Sequence, residues 1–319
     1  MAPLVNRANT ERMYSQHRKH AALFQDHFQT SWLHPDALEL VEKARDESVD
    51  LQKAKALREE MPGVYSFQVF TPEFVTIFNE EIANFYDASE KFDIPVRRPN
   101  SMNNYGVIVN EIGMRPMISA FQQSTLWPIA RRLFPQQASQ FDDHHSFIVR
   151  YRADEDPGLD MHTDDSDVTF NVCLGDDFTG ATLSFCGMMG AANHRKHSYT
   201  YRHEVGRAVI HLGSLRHGAD DIETGTRANL IVWNHNWAWR GSLAYKRRLH
   251  AIAYEKEEGP PDPVCLSYTH DIDYAAYKEL PERAKNIHSH PWCPPSGKEY
   301  DGFEKVFDKV LGNPSKEDK

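Results

Sequence analysis

The sequence lacks long apolar runs and any surplus of basic residues. No stretch approaches the roughly 18 consecutive apolar residues that a membrane-spanning helix needs. Acidic residues outnumber basic residues by 46 to 36 over the 319 residues, which gives a net charge of −10. Because nucleic acids and membrane surfaces are themselves anionic, such a chain is poorly suited to bind either one non-specifically. We therefore expect neither a nucleic-acid partner nor a membrane partner.

Cysteine is scarce as well. The four cysteines, Cys173, Cys186, Cys265 and Cys293, form no CxxC pair, and residues 1–29 contain no apolar core of the kind found in secretory signal peptides. Without a secretory signal, such cysteines are most simply reduced thiols. The sequence thus predicts free thiols and an intracellular protein, cytoplasmic or also nuclear.

Several catalytic motifs are absent too. The sequence has no phosphate-binding glycine loop, no GxGxxG and no GxSxG. These absences argue against a nucleotide-binding enzyme and against a serine hydrolase.

The N-terminal part has the pattern of helices. Residues 36–60 contain no proline or glycine and alternate apolar with charged positions, which predicts an amphipathic helix. Thr71 and Pro72 are typical of a helix start, so a second helix is predicted to run to about residue 90, and a third over residues 116–134. Residues 1–30 lack an apolar stripe, and we expect them to be dispensable for folding; the alternative is that they close over the active site as a lid.

The chain changes character at about residue 146, where short β-rich runs separated by glycines begin. Such runs at close spacing predict a sandwich or barrel. We predict an α+β fold with a double-stranded β-helix (jelly-roll) core and N-terminal supporting helices. The predicted strands are residues 146–151, 168–174, 181–185, 198–202, 208–212 and 228–234, with a further candidate at 105–109 and a last short helix at 302–311.

His162 and Asp164 are the first residues that point to chemistry. On an extended segment, side chains two positions apart leave the same face, so this imidazole and this carboxylate can bind one metal ion. A third ligand must come from elsewhere, and His217 is the candidate. Two histidines and one carboxylate on one face of an iron ion leave positions open for a bidentate oxoacid and for O₂.

Arg227 strengthens this interpretation. It follows His217 by ten residues and lies where a predicted strand begins. A guanidinium there can bind the distal carboxylate of an oxoacid in a bidentate manner. The period of two in the strands agrees, because Thr169 and Asn171 share one face of their strand, as Arg227 and Asn229 do in theirs, opposite apolar neighbours. These semi-polar faces predict a barrel interior that holds a small dianion.

These segments resemble a known family. Residues 147–152, 162–164, 168–172 and 180–183, together with His217 to Arg227, look like the prolyl 4-hydroxylase/lysyl hydroxylase branch of the Fe(II)/2-oxoglutarate-dependent dioxygenases. Residues 98–106 resemble a segment of the group called 2-oxoglutarate and iron-dependent oxygenase domain-containing protein 2. The resemblance covers about residues 98–240.

The resemblance implies a role for each matching residue. His162, Asp164 and His217 would bind Fe(II), and Arg227 would anchor the co-substrate 2-oxoglutarate. Further contacts to the co-substrate are implied for the residues Tyr151, Asn171 and Asn229. Ascorbate is a further cofactor that the resemblance allows. The implied organisation is an N-terminal extension over residues 1–63, a dioxygenase domain over 64–255 with its motifs in 140–240, and a C-terminal extension over 256–319.

The resemblance also implies a reaction, which is hydroxylation of a prolyl or lysyl side chain of a protein. The absence of a signal peptide argues against collagen-type substrates. Two alternatives stay open: an oxygenase of the same type that acts on a small molecule, and a non-catalytic jelly-roll binding protein. The second alternative would be marked by the loss of a ligand or of Arg227, and all four residues are present.

Other clusters compete with this assignment. His211 is the rival third ligand, but the position ten residues later is Asp221 rather than a cation. Residues 142–145, which read Asp-Asp-His-His, are interpreted as a solvated turn. A zinc site could be built from a group of C-terminal side chains, although their spacing fits no standard finger. These side chains are Cys265, His270, His288, His290 and Cys293.

Overall fold

Two antiparallel β-sheets form the centre of the computed structural model, which describes residues 9–175, 177–249, 257, 259–269, 271 and 274–281. The larger sheet has eight strands in the order β1-β2-β10-β6-β12-β4-β3, with β7 also paired to β12, and the smaller sheet has the order β5-β11-β8-β9. The strands are β1 (Arg58–Met61), β2 (Val64–Gln68), β3 (Gly106–Val107), β4 (Asp143–Tyr151), β5 (Leu159–His162), β6 (Val168–Cys173), β7 (Asp177–Gly180), β8 (Leu183–Met188), β9 (Tyr199–Tyr201), β10 (Arg207–Leu212), β11 (Leu215–Ala219) and β12 (Ile222–His235).

The helices of the described residues are α1 (Pro35–Arg45), α2 (Pro72–Phe92), α3 (Arg115–Phe121), α4 (Trp127–Leu133), α5 (Trp237–Gly241), α6 (Leu243–Leu249) and α7 (Tyr274–Tyr277). The first four pack on the larger sheet in one apolar cluster. Residues 9–14 are also helical, a π-helical turn (Gln122–Leu126) joins α3 to α4, and short 3₁₀ turns lie at Ala21–Phe24, Thr30–Trp32, Leu51–Lys53 and Pro263–Cys265. No helix in the described ranges is both long enough and apolar enough to cross a membrane.

The period of two in β6 divides its side chains between two environments. Val168, Phe170 and Val172 are fully buried in the apolar cluster that includes Phe74 and Phe78 of α2. The alternate residues point to the other side, where the smaller sheet lies, because successive side chains of a strand leave opposite faces. The predicted α+β jelly roll with supporting helices is therefore confirmed, as is the partition of its strand faces.

Helix α2 matches its prediction closely. The Thr71 side chain accepts a hydrogen bond of 3.3 Å from the Phe74 amide, which is the N-cap contact that the sequence predicts. The helix ends at Asp93, whose φ of 54° places it in the left-handed region. The third predicted helix is present in two parts, since the π-helical turn interrupts it just before Pro128 enters the first turn of α4.

The prediction of a single helix over residues 36–60 is wrong beyond Arg45. Residues 58–61 instead pair with β2 across a turn at Gly63, whose φ of +82° favours glycine. The charged residues 58–60 are compatible with a helix or with a strand, and pairing with β2 decides that they form a strand.

Residues 1–30 were expected to be dispensable for folding, yet their described part, residues 9–30, packs into the core. Tyr14 and Leu23 have no exposed surface and belong to the main apolar cluster. The Glu81 carboxylate of α2 accepts hydrogen bonds from the Tyr14 hydroxyl and from the amides of Lys19 and His20, the last two at 3.0 and 2.6 Å. This segment is part of the packed helical layer.

The prediction of four reduced thiols is also wrong. Cys186 of β8 and Cys265 form a disulfide, whereas Cys173 is free and buried. The two bonded cysteines are 79 residues apart in sequence, so no spacing signal indicated the pair. The thiol-based argument for an intracellular location therefore loses its basis. Cys293 and the predicted helix over 302–311 lie outside the described residues.

Candidate functional site

Three potential ligand side chains meet at the edge of the smaller sheet. His162 is the last residue of β5 and lies directly opposite His217 of the antiparallel neighbour β11. Asp164 follows two residues after His162, and its amide donates to the Gly213 carbonyl at 2.8 Å. One donor atom from each of the three side chains lies within 4.8 Å of the others. The structure thus brings together the three residues that the sequence predicts as a ligand set.

Hydrogen bonds orient both imidazoles toward a common point. His162 donates from Nδ1 to the Asp160 carbonyl at 2.7 Å, and His217 donates from Nδ1 to the Leu215 carbonyl at 2.8 Å. Since a carbonyl can only accept, each ring carries its proton on Nδ1 and has a free lone pair on Nε2. The two Nε2 atoms lie 3.4 and 3.5 Å from Oδ1 of Asp164.

The carboxylate is prepared in the same way. Thr169 of β6 donates from its hydroxyl to Oδ2 of Asp164 at 2.7 Å, which leaves Oδ1 directed at the two rings. Burial acts to raise the pKa of Asp164, but the neighbouring His217 and His162 outweigh it and hold that pKa well below its usual range. Burial likewise acts to lower the pKa of His217, and Asp164 overcomes it, so the pKa of His217 is raised. The centre is thus a carboxylate between two imidazoles, a donor set suited to a divalent transition metal.

His211, the rival third ligand, packs against His217 with ring centroids 4.6 Å apart. It is not part of the group of three donor atoms found in the described chain. Burial lowers the pKa of His211 to about 4, so it is a neutral side chain at physiological pH. The geometry favours His217.

Arg227 lies in the same pocket as the three candidate ligands. It is in β12 opposite Tyr151 of β4, with its guanidinium carbon 4.5 Å from the centre of the Tyr151 ring. The guanidinium donates to the Ala181 carbonyl and is only 1% exposed. Within the described chain its Nε has no hydrogen-bond partner and no carboxylate forms an ion pair with it. A buried cation in this state is suited to bind an anion that enters the pocket.

The other predicted contacts surround Arg227. Tyr151 and Asn171 line the pocket, and the Asn229 side-chain amide donates to the Asn171 side-chain oxygen. Asn229 is fully buried, so its evident role is to hold Asn171 in place. The same Asn229 amide lies 3.4 Å from Nδ1 of His203. Burial of His203, together with the nearby Arg227, holds the pKa of His203 well below its usual value.

Three site residues escaped the sequence reasoning. His203 follows β9 and carries no recognisable spacing signal. Asn103 and Trp233 line the pocket, and each has a buried nitrogen with no hydrogen-bond partner among the described residues. The sequence did carry a signal for Asn103 and for Trp233. Asn103 lies in the segment 98–106 that carries the family resemblance, and Trp233 is six residues after Arg227 and so shares its strand face.

The two competing clusters differ from their sequence interpretations in the part of the chain that the structure describes. Cys265 is bonded to Cys186 and is therefore not a thiolate available to zinc; the histidines of that cluster and Cys293 lie outside the described residues. Residues 143–145 belong to β4 rather than to a solvated turn. His144 is 3% exposed and hydrogen-bonded to the hydroxyls of Ser119 and Ser146.

Comparisons with known proteins give a consistent result. An OGFOD2-like domain model matches residues 12–139. The human 2-oxoglutarate and iron-dependent oxygenase domain-containing protein 2 is 35% identical over 224 residues, which are 68% of this chain and 63% of that protein. The Arabidopsis thaliana 2-oxoglutarate and iron-dependent oxygenase domain-containing protein ICU11 is 36% identical over 199 residues, 59% of this chain and 49% of that protein.

A solved prolyl-4-hydroxylase from Pseudomonas putida aligns with 62% of this chain and 98% of its own, at 14% identity and a TM-score of 0.41. The chain spans between 49% and 63% of the length of the two sequence relatives. These sequence matches show that the chain is similar to the 2-oxoglutarate and iron-dependent oxygenases, and that residues 12–139 match an OGFOD2-like domain.

Proposed function

We propose that this protein is a hydroxylase that uses Fe(II), 2-oxoglutarate and O₂. The observation that carries the proposal is one pocket with two features: a group of two histidines and a carboxylate, and a buried arginine that has no anionic partner among the described residues. A facial set of two histidines and one carboxylate is diagnostic of non-haem iron oxygenases, because it leaves coordination positions open.

The residues present fit both groups. His162, Asp164 and His217 would hold the iron through the atoms that their hydrogen bonds leave free. Arg227 would bind the 5-carboxylate of the oxoacid, with Tyr151 and Asn171 beside it. Bound iron supplies the activation of O₂, coupled to decarboxylation of the oxoacid to succinate and CO₂.

The chain itself contributes orientation and the exclusion of water. Arg227, Asn229, Ile231 and Trp233 alternate along one face of β12, so this face runs from the proposed carboxylate anchor toward the metal centre. Trp233 pairs with Thr169, the residue that holds Asp164, so Trp233 lies at the end of this face nearest the proposed ligands. The apolar side chains between the two ends keep the reacting groups away from bulk solvent.

The proposed substrate is a prolyl or lysyl side chain of a protein. One support is that the rat procollagen-lysine,2-oxoglutarate 5-dioxygenase 1 is 27% identical over 218 residues. Another is an open groove that shares Leu159 with the pocket and is lined by the loops 98–104 and 153–160 and by Tyr268. A groove of this kind can accept an extended chain with one side chain directed into the pocket. Ascorbate is proposed as an auxiliary reductant.

The test is the release of succinate from 2-oxoglutarate by the purified, iron-loaded protein. We expect slow turnover without substrate, its loss in Asp164→Ala, and stimulation by peptides that contain proline or lysine. Stimulation by small metabolites alone would replace the protein substrate with a small molecule. No 2-oxoglutarate binding and no turnover under any condition would overturn the proposed activity.

A further inference from the structure

The chain after β12 returns to the smaller sheet and contacts the residues beside two of the three proposed ligands. The described residues of this return, 257 and 259–269 and 271, are here called the C-terminal clamp. It is attached to the sheet by one covalent bond and by two groups of buried polar contacts. These contacts have no part in the proposed reaction.

The first attachment is the Cys186–Cys265 disulfide. Cys186 follows Phe185, the β8 residue that pairs with His217. Both sulfurs are buried and pack with Met161, the residue immediately before His162. The covalent link therefore joins the clamp to the sheet directly behind the proposed metal centre.

The second attachment is Asp160, whose backbone carbonyl accepts the Nδ1 proton of His162. Asp160 is 6% exposed. Among the described residues, its carboxylate accepts hydrogen bonds from the amide of its neighbour Met161 and otherwise only from the clamp. The clamp donors are the Ser267 hydroxyl at 2.6 Å, the Tyr268 amide at 3.1 Å, and the Thr269 amide and hydroxyl at 2.9 and 2.5 Å. The clamp thus fixes the residue that orients one imidazole.

The third attachment is Arg216, the neighbour of His217. Its buried guanidinium donates to the Cys265 carbonyl at 3.0 Å and to the Asp271 carboxylate. Asp271 also lies 3.6 Å from Arg195, which forms a bidentate pair with Glu257 at 2.9 and 2.8 Å. Buried ion pairs of this kind are costly to break, because removing one partner leaves the other charged and desolvated.

We propose that the C-terminal clamp is a support for the metal centre, with Asp160 and Arg216 as positioning residues that act through His162 and His217, and with the Cys186–Cys265 disulfide as its redox-sensitive fastening. This inference rests on the proposed function. The physical reason is that hydrogen-bond partners behind metal ligands set ring orientation, and their loss typically lowers metal affinity about 10- to 100-fold. Two-electron reduction of the disulfide by an external phosphine or dithiol, which is itself oxidised, gives the Cys186 and Cys265 thiols. It releases Cys186, the residue after the strand partner of His217, from the clamp.

The experiment measures Mn(II) binding to the full chain by the electron paramagnetic resonance signal of the free ion. Mn(II) is chosen because it prefers nitrogen and oxygen ligands to thiolates, so freed cysteines do not compete for it. We expect Asp160→Asn and Cys265→Ala, and reduction of the wild type by a phosphine, each to raise the Kd for Mn(II) by about 10- to 100-fold. Arg216→Lys should give a smaller rise, because it keeps the charge and loses the fork.

Two variants serve as matched controls. Glu111→Gln removes another buried carboxylate, which pairs with Arg97 at 2.9 Å and belongs neither to the ligand group nor to the described clamp. Cys173→Ala removes the free buried cysteine. Both are expected to change the thermal midpoint while leaving the Kd for Mn(II) unchanged, which separates loss of support from general destabilisation.

Two results would overturn the proposal in distinguishable ways. If wild type binds Mn(II), Asp164→Ala does not, and the reduced wild type and Cys265→Ala bind as tightly as the wild type, the clamp idea fails and the proposed function stands. If the wild type does not bind Mn(II) at all, both fail together. Should Asp160→Asn not fold, the reduced wild type and Arg216→Lys decide the question.

Discussion

Hydrogen bonds to the far sides of three side chains decide how the proposed ligands are presented. The carbonyls of Asp160 and Leu215 and the hydroxyl of Thr169 occupy one atom of each ligand and leave the other directed at a common point. None of these contacts requires a metal ion to be present. The centre is therefore pre-organised, which lowers the cost of ordering the ligands on binding.

Replacing any one ligand by alanine is expected to abolish metal binding. In His162→Ala, Asp164→Ala and His217→Ala the loss should exceed the roughly 10- to 100-fold loss caused by removing a ligand's hydrogen-bond partner. Anaerobic Fe(II) titration measures it, with circular dichroism as the check on folding. His211→Asn is the control, because His211 packs beside His217 without joining the donor group. Retained binding in His217→Ala together with its loss in His211→Asn would reassign the third ligand.

Arg227→Ala is expected to weaken 2-oxoglutarate binding and to leave metal binding unchanged. Truncation of a buried charged contact costs roughly 2–5 kcal/mol, which corresponds to a rise in Kd of about 30- to several-thousand-fold. Arg227→Lys should lie between, since lysine retains the charge without the bidentate geometry. Equilibrium titration with the metal present gives both values. An unchanged Kd in Arg227→Ala would show that another cation anchors the oxoacid.

His144 should make folding stability depend on pH. Burial lowers its pKa from 6.5 to about 4, while Arg115 also lowers it and Asp143 opposes the shift. Between about pH 4 and pH 6.5, His144 is therefore protonated in the unfolded chain and neutral in the folded chain. Stability is full above about pH 6.5 and falls as the pH drops toward 4, by up to about 3 kcal/mol from this residue.

Urea unfolding of the wild type and of His144→Gln at several pH values between 4 and 7 isolates this contribution. The variant should show a shallower decline in unfolding free energy, because glutamine does not titrate. Other buried histidines contribute to both proteins equally and cancel in the difference. If the unfolding free energies of wild type and variant declined in parallel, His144 would have the same pKa in the folded and unfolded states.

At the scale of elements, the sequence predicts best where one physical signal dominates. The alternation in β6 and β12 was sufficient to separate the face of Phe170 from that of Asn171, because a strand with one apolar face has only one register that buries it. The cap at Thr71 located the start of α2 within one residue. Local chemistry determines both features.

The predictions from the sequence were wrong or incomplete where contacts between distant segments decide the structure. Residues 58–61 form a strand only because β2 pairs with them, and their charged composition carries no strand signal. Four strands, β9 to β12, lie between Cys186 and Cys265 in the sequence, and the two cysteines meet only in the folded structure. His203 reaches Asn229 in the same way, from a loop. The ligand set was predictable because His162 and Asp164 are local, whereas its support by residues 257–271 was not.

A buried carboxylate of α2 takes part in the docking of the N-terminal segment. Glu81 is fully buried and is the common acceptor for Tyr14, Lys19 and His20. Glu81→Ala leaves these donors without their acceptor and should destabilise the protein by roughly 2–5 kcal/mol. Its neighbour Glu80 is 43% exposed and pairs with Lys19 and His20 at the surface, so Glu80→Ala should destabilise the protein much less than Glu81→Ala. Chemical denaturation compares the two, and equal losses would contradict the docking role.

At the scale of the whole molecule, the larger sheet needs its helical layer. A jelly roll leaves the outer face of each sheet apolar or solvated, and here the outer face of the larger sheet is apolar across β6, β10 and β12. The family match over residues 12–139 covers most of this layer and stops before β4, the first strand that lines the pocket. The matched range also contributes Asn100 and Asn103 to the pocket, whereas the three proposed ligands all follow it in sequence.

Deletion of residues 1–30 is therefore expected to destabilise the whole molecule rather than trim a tail. Tyr14 and Leu23 are completely buried, and Phe28 packs against Phe74 and Phe121 with ring centroids 5.5 and 4.6 Å apart. Large buried side chains cost roughly 2–5 kcal/mol each when removed, so the loss of these three is comparable to the whole 5–15 kcal/mol by which typical domains are stable. The truncated protein should aggregate or bind a hydrophobic dye at temperatures where the full chain does not. Leu23→Ala provides the intermediate case, because it should fold with a lowered thermal midpoint. A truncated protein that unfolds cooperatively at the midpoint of the full chain would show that the helical layer is complete without this segment.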